Sequence, residues 1–123
     1  MSHFTKVSKA KIKSKAAFLA AAKELGFLEV KGKLRGYNGD TRDAEVVVRK
    51  SGCPYDVGLV KGSEGTYDME ADWWGVNQHC TDAANQFTQL TTKCSIQQTY
   101  AKQGFMVQTA EQKDGSIKLT LTK

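Results

Sequence analysis

From Thr66 to Trp74 the chain alternates residue by residue, with Tyr67, Met69, Ala71 and Trp73 on one side and Asp68, Glu70, Asp72 and Trp74 on the other. A period of two belongs to a strand, because successive side chains leave a pleated backbone on opposite faces. The segment predicts a strand over Thr66–Trp73 with one apolar and one acidic face. Any fold built on it must bury the first and find a place for the second.

The same rule marks further strands. Residues 2–13 set Phe4, Ala10 and Ile12 against Lys9, Lys11 and Lys13, a strand with a lysine ridge. Phe27–Leu34 and Ala44–Lys50 follow, parted by Gly36-Tyr37-Asn38-Gly39-Asp40, whose Asn-Gly pair favours positive φ. Tyr55–Val60 is joined to Thr66–Trp73 across Gly62-Ser63-Glu64-Gly65, and Phe105–Glu111 to Ser116–Thr122 across Lys113-Asp114-Gly115. Two stretches break this rhythm. Phe18, Ala22 and Leu25 share a face of a helix over 15–25, with Ser14 as N-cap and Gly26 as its left-handed stop. Residues 77–103 lack Gly and Pro and place Phe87, Leu90 and Cys94 at helical intervals, which predicts one or two helices. The fold class is α+β: an antiparallel sheet of about six to seven strands with two or three helices packed on one face. At 123 residues the chain suits a single domain, 1–123.

Charge is distributed in blocks. Residues 1–50 carry 12 Lys and Arg against 5 acids, 56–82 carry one Lys against six acids, and 83–123 return to 5 against 2. The net charge of +5 is thus a sum of opposed regions and points to an anionic partner for one part of the surface. No apolar run of about 18 residues is present for a membrane span, and no apolar secretory core opens the chain. Cys53, Cys80 and Cys94 are an odd set without CxxC spacing, read as free, semi-buried thiols of a reducing compartment, with a reactive Cys53 as the alternative.

Met1-Ser2-His3-Phe4-Thr5-Lys6-Val7, Gly36, Ala44 to Val48, Tyr55-Asp56-Val57-Gly58, Tyr67 with Asp72, Gln103 to Val107 and Lys113 to Leu119 form a further pattern. In these residues the chain resembles the hypothetical chloroplast reading frame thirty-five family, small uncharacterised proteins of cyanobacteria and plastids. The resemblance implies a setting, a photosynthetic organism or its phage and a cytoplasmic or stromal location, and no activity. The family usually ends on a basic residue and Trp, where this chain has Leu121-Thr122-Lys123, and Gly75–Thr92 looks divergent.

Several constellations bear on function. Lys9, Lys11, Lys13, Arg35, Arg42 and Arg49 would form a basic sheet face for an anionic ligand, nucleotide or nucleic acid, binding through phosphate contacts. The simpler meaning of such lysines is a solvated edge that resists aggregation. Asp68, Glu70 and Asp72, spaced by two, are candidate metal ligands or an acid and base for hydrolysis, against the simpler meaning of a solvated sheet face. His79, Cys80, Cys94, His3 and Cys53 lack the paired spacing of a zinc site. Trp74 and Tyr37 are candidate protein-interface residues, the first because one of two neighbouring tryptophans must face away from the core.

No GxxxxGK[ST], GxGxxG or GxSxG occurs and no cofactor is called for. The leading expectation is a small non-catalytic binding or adaptor protein with a protein partner or an anionic small ligand. A nucleic-acid or nucleotide binder is the alternative and a metal-dependent hydrolase the second. Self-association, basic face to acidic face, is a further expectation.

Overall fold

A computed structural model of the chain describes residues 4–62, 64–114 and 116–122, with the backbone alone for 5–10, 111 and 117. Five strands form an antiparallel sheet in the order β1-β7-β6-β5-β2. They are β1 (Thr5–Ile12), β2 (Phe27–Val30), β5 (Val46–Lys50), β6 (Val57–Lys61) and β7 (Tyr67–Ala71). Short ribbons pair β3 (Leu34–Arg35) with β4 (Thr41–Arg42) and β8 (Met106–Glu111) with β9 (Ile117–Thr122). The class is the expected α+β, with five strands in the sheet and the remainder in the two ribbons.

Strands β5, β6 and β7 form a meander, while β1 and β2 lie at opposite edges and run in the same direction. Helix α1 (Lys15–Glu24) joins them. Ten helical residues rise about 15 Å and four strand spacings cover about 19 Å, so one helix and its flanks carry the chain from edge to edge. Ser14 caps α1 by accepting the Ala17 N–H at 3.1 Å, and Gly26 ends it at φ +86°, a conformation with no steric cost for glycine.

One face of the sheet packs on α1, on the short α2 (Trp73–Val76) and on α3 (Ala83–Lys102). Val46, Val48, Val57, Leu59, Met69 and Ala71 supply the sheet side, and Phe18, Ala22, Val76 and Phe87 the helical side. The Phe87 ring stacks on Phe18 at 5.6 Å and meets Phe27 edge-on at 5.1 Å. Ala17 and Ala21 of α1 meet Cys94 of α3, and such small residues let the two helices approach closely.

Boundaries differ from the sequence expectation where a backbone turn intervenes. The Trp73–Trp74 pair lies in α2 instead of the end of a strand, because the Gly75 and Val76 N–H groups turn back to the Asp72 carbonyl. Trp73 is half-buried and Trp74 is 63% exposed. Residues 77–82 are turns, and α3 begins after Asp82 at φ +54°, its first N–H bonded to Asn77 Oδ1. Helix α3 is about 30 Å long, well beyond a five-residue strand, so its second half overhangs the sheet. The β8–β9 ribbon covers that overhang through Phe105 on Tyr100 and Thr109 near Gln97, which is why these strands stay outside the main sheet.

The opposite face of the sheet is covered as well. Phe4, Leu34 and Val47 form a second apolar cluster there with Val30 and Ala44, and the β3–β4 ribbon lies across it. Asp68, Glu70 and Asp72 share this face and are buried, where a solvated row was the simpler expectation. Lys11 meets Asp68 and Arg42 meets Glu70 there, so at these two residues the basic and acidic blocks neutralise each other on one surface instead of forming two separate ones.

Candidate functional site: paired arginines on a buried carboxylate

Val57 of β6 pairs with Ala71 of β7 on the helix-covered face, and the residue before Val57 and the residue after Ala71, both turned to the second face, are aspartates. Asp56 and Asp72 are both 0% exposed. An ionised carboxylate in such a place is costly unless its oxygens are met by donors. Asp56 is met in full. Its Oδ1 accepts from Arg35 Nη2 at 2.9 Å and Arg49 Nε at 3.0 Å, and its Oδ2 from Arg35 Nε at 3.1 Å, Arg49 Nη2 at 3.0 Å and the Arg35 N–H at 2.9 Å. Burial alone pushes the Asp56 carboxyl up, and the hydrogen bonds from Arg49 and Arg35 more than reverse it, so the group titrates below the ordinary carboxylate range.

Each guanidinium thus grips Asp56 side-on, through Nε and Nη2, and Arg35 Nη2 also donates to the Cys53 carbonyl at 3.2 Å. The Nη1 of neither arginine has a partner among the described residues. The side chains remain 39% and 34% exposed. Two positive charges on one negative leave the trio at +1, with planar donors held rigidly at the surface. This arrangement suits the bidentate recognition of a carboxylate or phosphate.

A cleft of about 520 Å³ opens beside Arg35, between the turn at Gly36, Asn38 and Gly39 and the facing Pro54 and Tyr55. The Tyr55 ring is seated on Gly75, where an added Cβ would fall 1.6 Å from Cε2 and 1.7 Å from Cδ2. Only glycine allows that approach. A Gly75→Ala variant is expected to lose about 1–3 kcal/mol of stability and to push Tyr55 from its place, read as a lowered Tm with a changed near-ultraviolet tyrosine and tryptophan signal.

The other candidate residues are divided by the fold. Arg35 and Arg49 come together on Asp56, while Arg42 reaches Glu70 at 3.0 Å and Lys11 reaches Asp68 at 2.8 Å. Lys11 and Lys13 belong to the end of β1 that meets Tyr67, the far end of the sheet from Asp56, and Lys13 is exposed without an ion pair among the described residues. The Lys9 side chain and His3 lie outside what the structure describes. Tyr37 and Trp74 lie at the same sheet end: Tyr37 N–H donates to Asp72 Oδ2 at 3.2 Å, two residues before Trp74. Of Asp68, Glu70 and Asp72, the first two are held by cations. Among the described residues no three His, Cys, Asp or Glu side chains converge on a point where a metal ion could sit.

A family model described as a protein of unknown function, DUF1257, matches residues 21–120. The chain belongs to that family. Arg35, Arg49, Tyr55, Asp56, Asp72 and Gly75 all fall inside the DUF1257 match, whereas Lys9, Lys11 and Lys13 precede it. No curated protein and no solved structure matches this DUF1257 chain. Among its described residues no helix is long and apolar enough to cross a membrane.

Sequence reasoning singled out both arginines but missed Asp56, the residue that joins them. The available signal was its position: Asp56, Gly58 and Val60 alternate against Val57 and Leu59, so an acid stands on the non-core face one step before a strand. The cysteines are buried, and burial pushes the Cys80 and Cys94 thiols up, away from thiolate chemistry.

Proposed function

We propose that this protein is a non-catalytic binding protein that holds an anionic ligand, a carboxylate or phosphate, on the paired guanidiniums of Arg35 and Arg49. The observation that carries the proposal is the fully buried Asp56, which fixes both arginines side-on and leaves both Nη1 groups uncommitted. The cleft with Tyr55 and Pro54 adds a wall for the rest of the ligand, and exposed Tyr37, Trp74 and Leu28 border on the same sheet end. The resemblance noted in the sequence puts this binding in the cytoplasm or stroma of a photosynthetic organism or its phage.

Nucleic acid has less support, because Arg42 and Lys11, which a basic sheet face would need, are spent on Glu70 and Asp68. The same two pairs weaken the hydrolase alternative. Isothermal titration with pyrophosphate tests the proposal. Arg49→Lys keeps the charge but cannot both hold Asp56 side-on and present a second edge, so affinity is expected to fall about tenfold or more. Unchanged affinity in this variant rejects the arginine pair as the site. Binding of single-stranded RNA with a salt dependence steeper than about two released counterions would favour nucleic acid instead.

A further inference from the structure

Asp72 is as deeply buried as Asp56 and is treated very differently. Its Oδ2 accepts one hydrogen bond, from the Tyr37 N–H at 3.2 Å, and its Oδ1 is buried with no partner among the described residues. The residue stands at the N-cap of α2, a position where an aspartate ordinarily accepts a backbone N–H of the first turn, yet its side chain makes no such bond. A buried carboxylate with an open oxygen is expensive, and an unmet group of this kind calls for a partner that the described residues do not supply. Among the described residues, the basic side chains nearby are already assigned: Arg35 and Arg49 to Asp56, Arg42 to Glu70.

We propose that Asp72 is the second recognition group of the same site, its open oxygen taking a hydrogen-bond donor on the ligand, so that the ligand joins an ammonium to its anionic group. This rests on the arginine pair as the anion seat. Asp56 and Asp72 each flank one of the paired residues Val57 and Ala71, so both carboxylates stand at the same end of adjacent strands, which lie about 5 Å apart. The turn that covers Asp72 is also the turn that walls the cleft: Tyr37 holds the carboxylate while Gly36 and Asn38 line the cleft beside Arg35. Tyr37 to Asp40 are exposed, and Asn38 sits in the left-handed region at φ +57°. Asp72 is fully buried and does not line the cleft, so binding there requires this turn to shift outward.

Two probes sharing one phosphate monoester test this: O-phosphoethanolamine, which carries an ammonium, and ethyl phosphate, which does not. Wild-type protein is expected to bind the first about tenfold more tightly or better, a charge-assisted hydrogen bond's worth, and Asp72→Asn to bring the two affinities together while leaving ethyl phosphate unaffected. The same variant removes an unmet charge and keeps an acceptor for Tyr37, so its Tm is expected to equal or exceed that of the wild type. Equal binding of the two probes by the wild type, or a preference that survives in Asp72→Asn, overturns the inference and leaves the anion seat standing. A Tm well below the wild type assigns Asp72 to holding the fold and overturns it too. If neither probe binds, the anion seat falls with it.

Discussion

An Asp56→Asn variant unfolds in urea with about 3–5 kcal/mol less stability than the wild type, because it strands two guanidiniums on a group that no longer carries charge. The amide can still accept from one arginine through its oxygen, but its NH2 faces the other arginine donor to donor. A chain of this size has about 5–15 kcal/mol in total, so the loss is expected to remove about a fifth of it or more. Chemical denaturation followed by circular dichroism measures the difference. The folded-state titration of Asp56 lies below the unfolded value of about 3.9, so its contribution is complete above that pH and is withdrawn as pH falls through the folded value. The gap between wild type and variant is therefore expected to stay constant from neutrality to about pH 5 and to close in stronger acid. A gap that is small at neutral pH shows the trio to be incidental.

Phe87→Ala is the second large loss, about 3–5 kcal/mol. The ring is fully buried between Phe18 of α1 and Phe27 of β2, so its removal empties the point where two helices and an edge strand meet. Neither neighbouring ring can turn into the gap without leaving its own contacts, since Phe18 and Phe27 are themselves fully buried. An unfolding free energy within about 0.5 kcal/mol of the wild type would show that the face collapses around the cavity and that the three rings are not the anchor of the layer. The two losses probe opposite faces of one sheet. Asp56→Asn removes the polar cover, Phe87→Ala the apolar one.

The site and the scaffold were legible in the chain to different degrees. Helix α1 was readable from Ser14 to Gly26 because a cap, an apolar face and a stop residue all act within a few residues of one another. The strand Tyr67–Ala71 was readable for the same reason: its pleat sorts side chains with no help from elsewhere. Trp73 and Trp74 continue the alternation in sequence, but the backbone turns at Asp72 and the pattern no longer describes a strand. The register of Gln, Thr and Ser through 83–102 conveyed little about which side of α3 is covered, and the overhang that recruits β8–β9 depends on its length against that of the sheet.

What the sequence by itself determined is local: which residues pair on a face, where helices start and stop, and that basic and acidic residues occupy separate blocks. Tertiary structure alone decided what those blocks do to each other. Arg49 of β5 meets Asp56, just before β6, across the β5–β6 hairpin, and Arg35 of β3 joins them only because β3 is folded across the sheet's second face. Alternation assigns Asp68, Glu70 and Asp72 to one side but is silent on whether water or protein lies there, since a pleat fixes direction and not surroundings. Whether a charge is paired or left open, as at Asp56 and Asp72, follows from residues 7 and 21 positions away arriving at hydrogen-bond distance or from no donor among the described residues arriving.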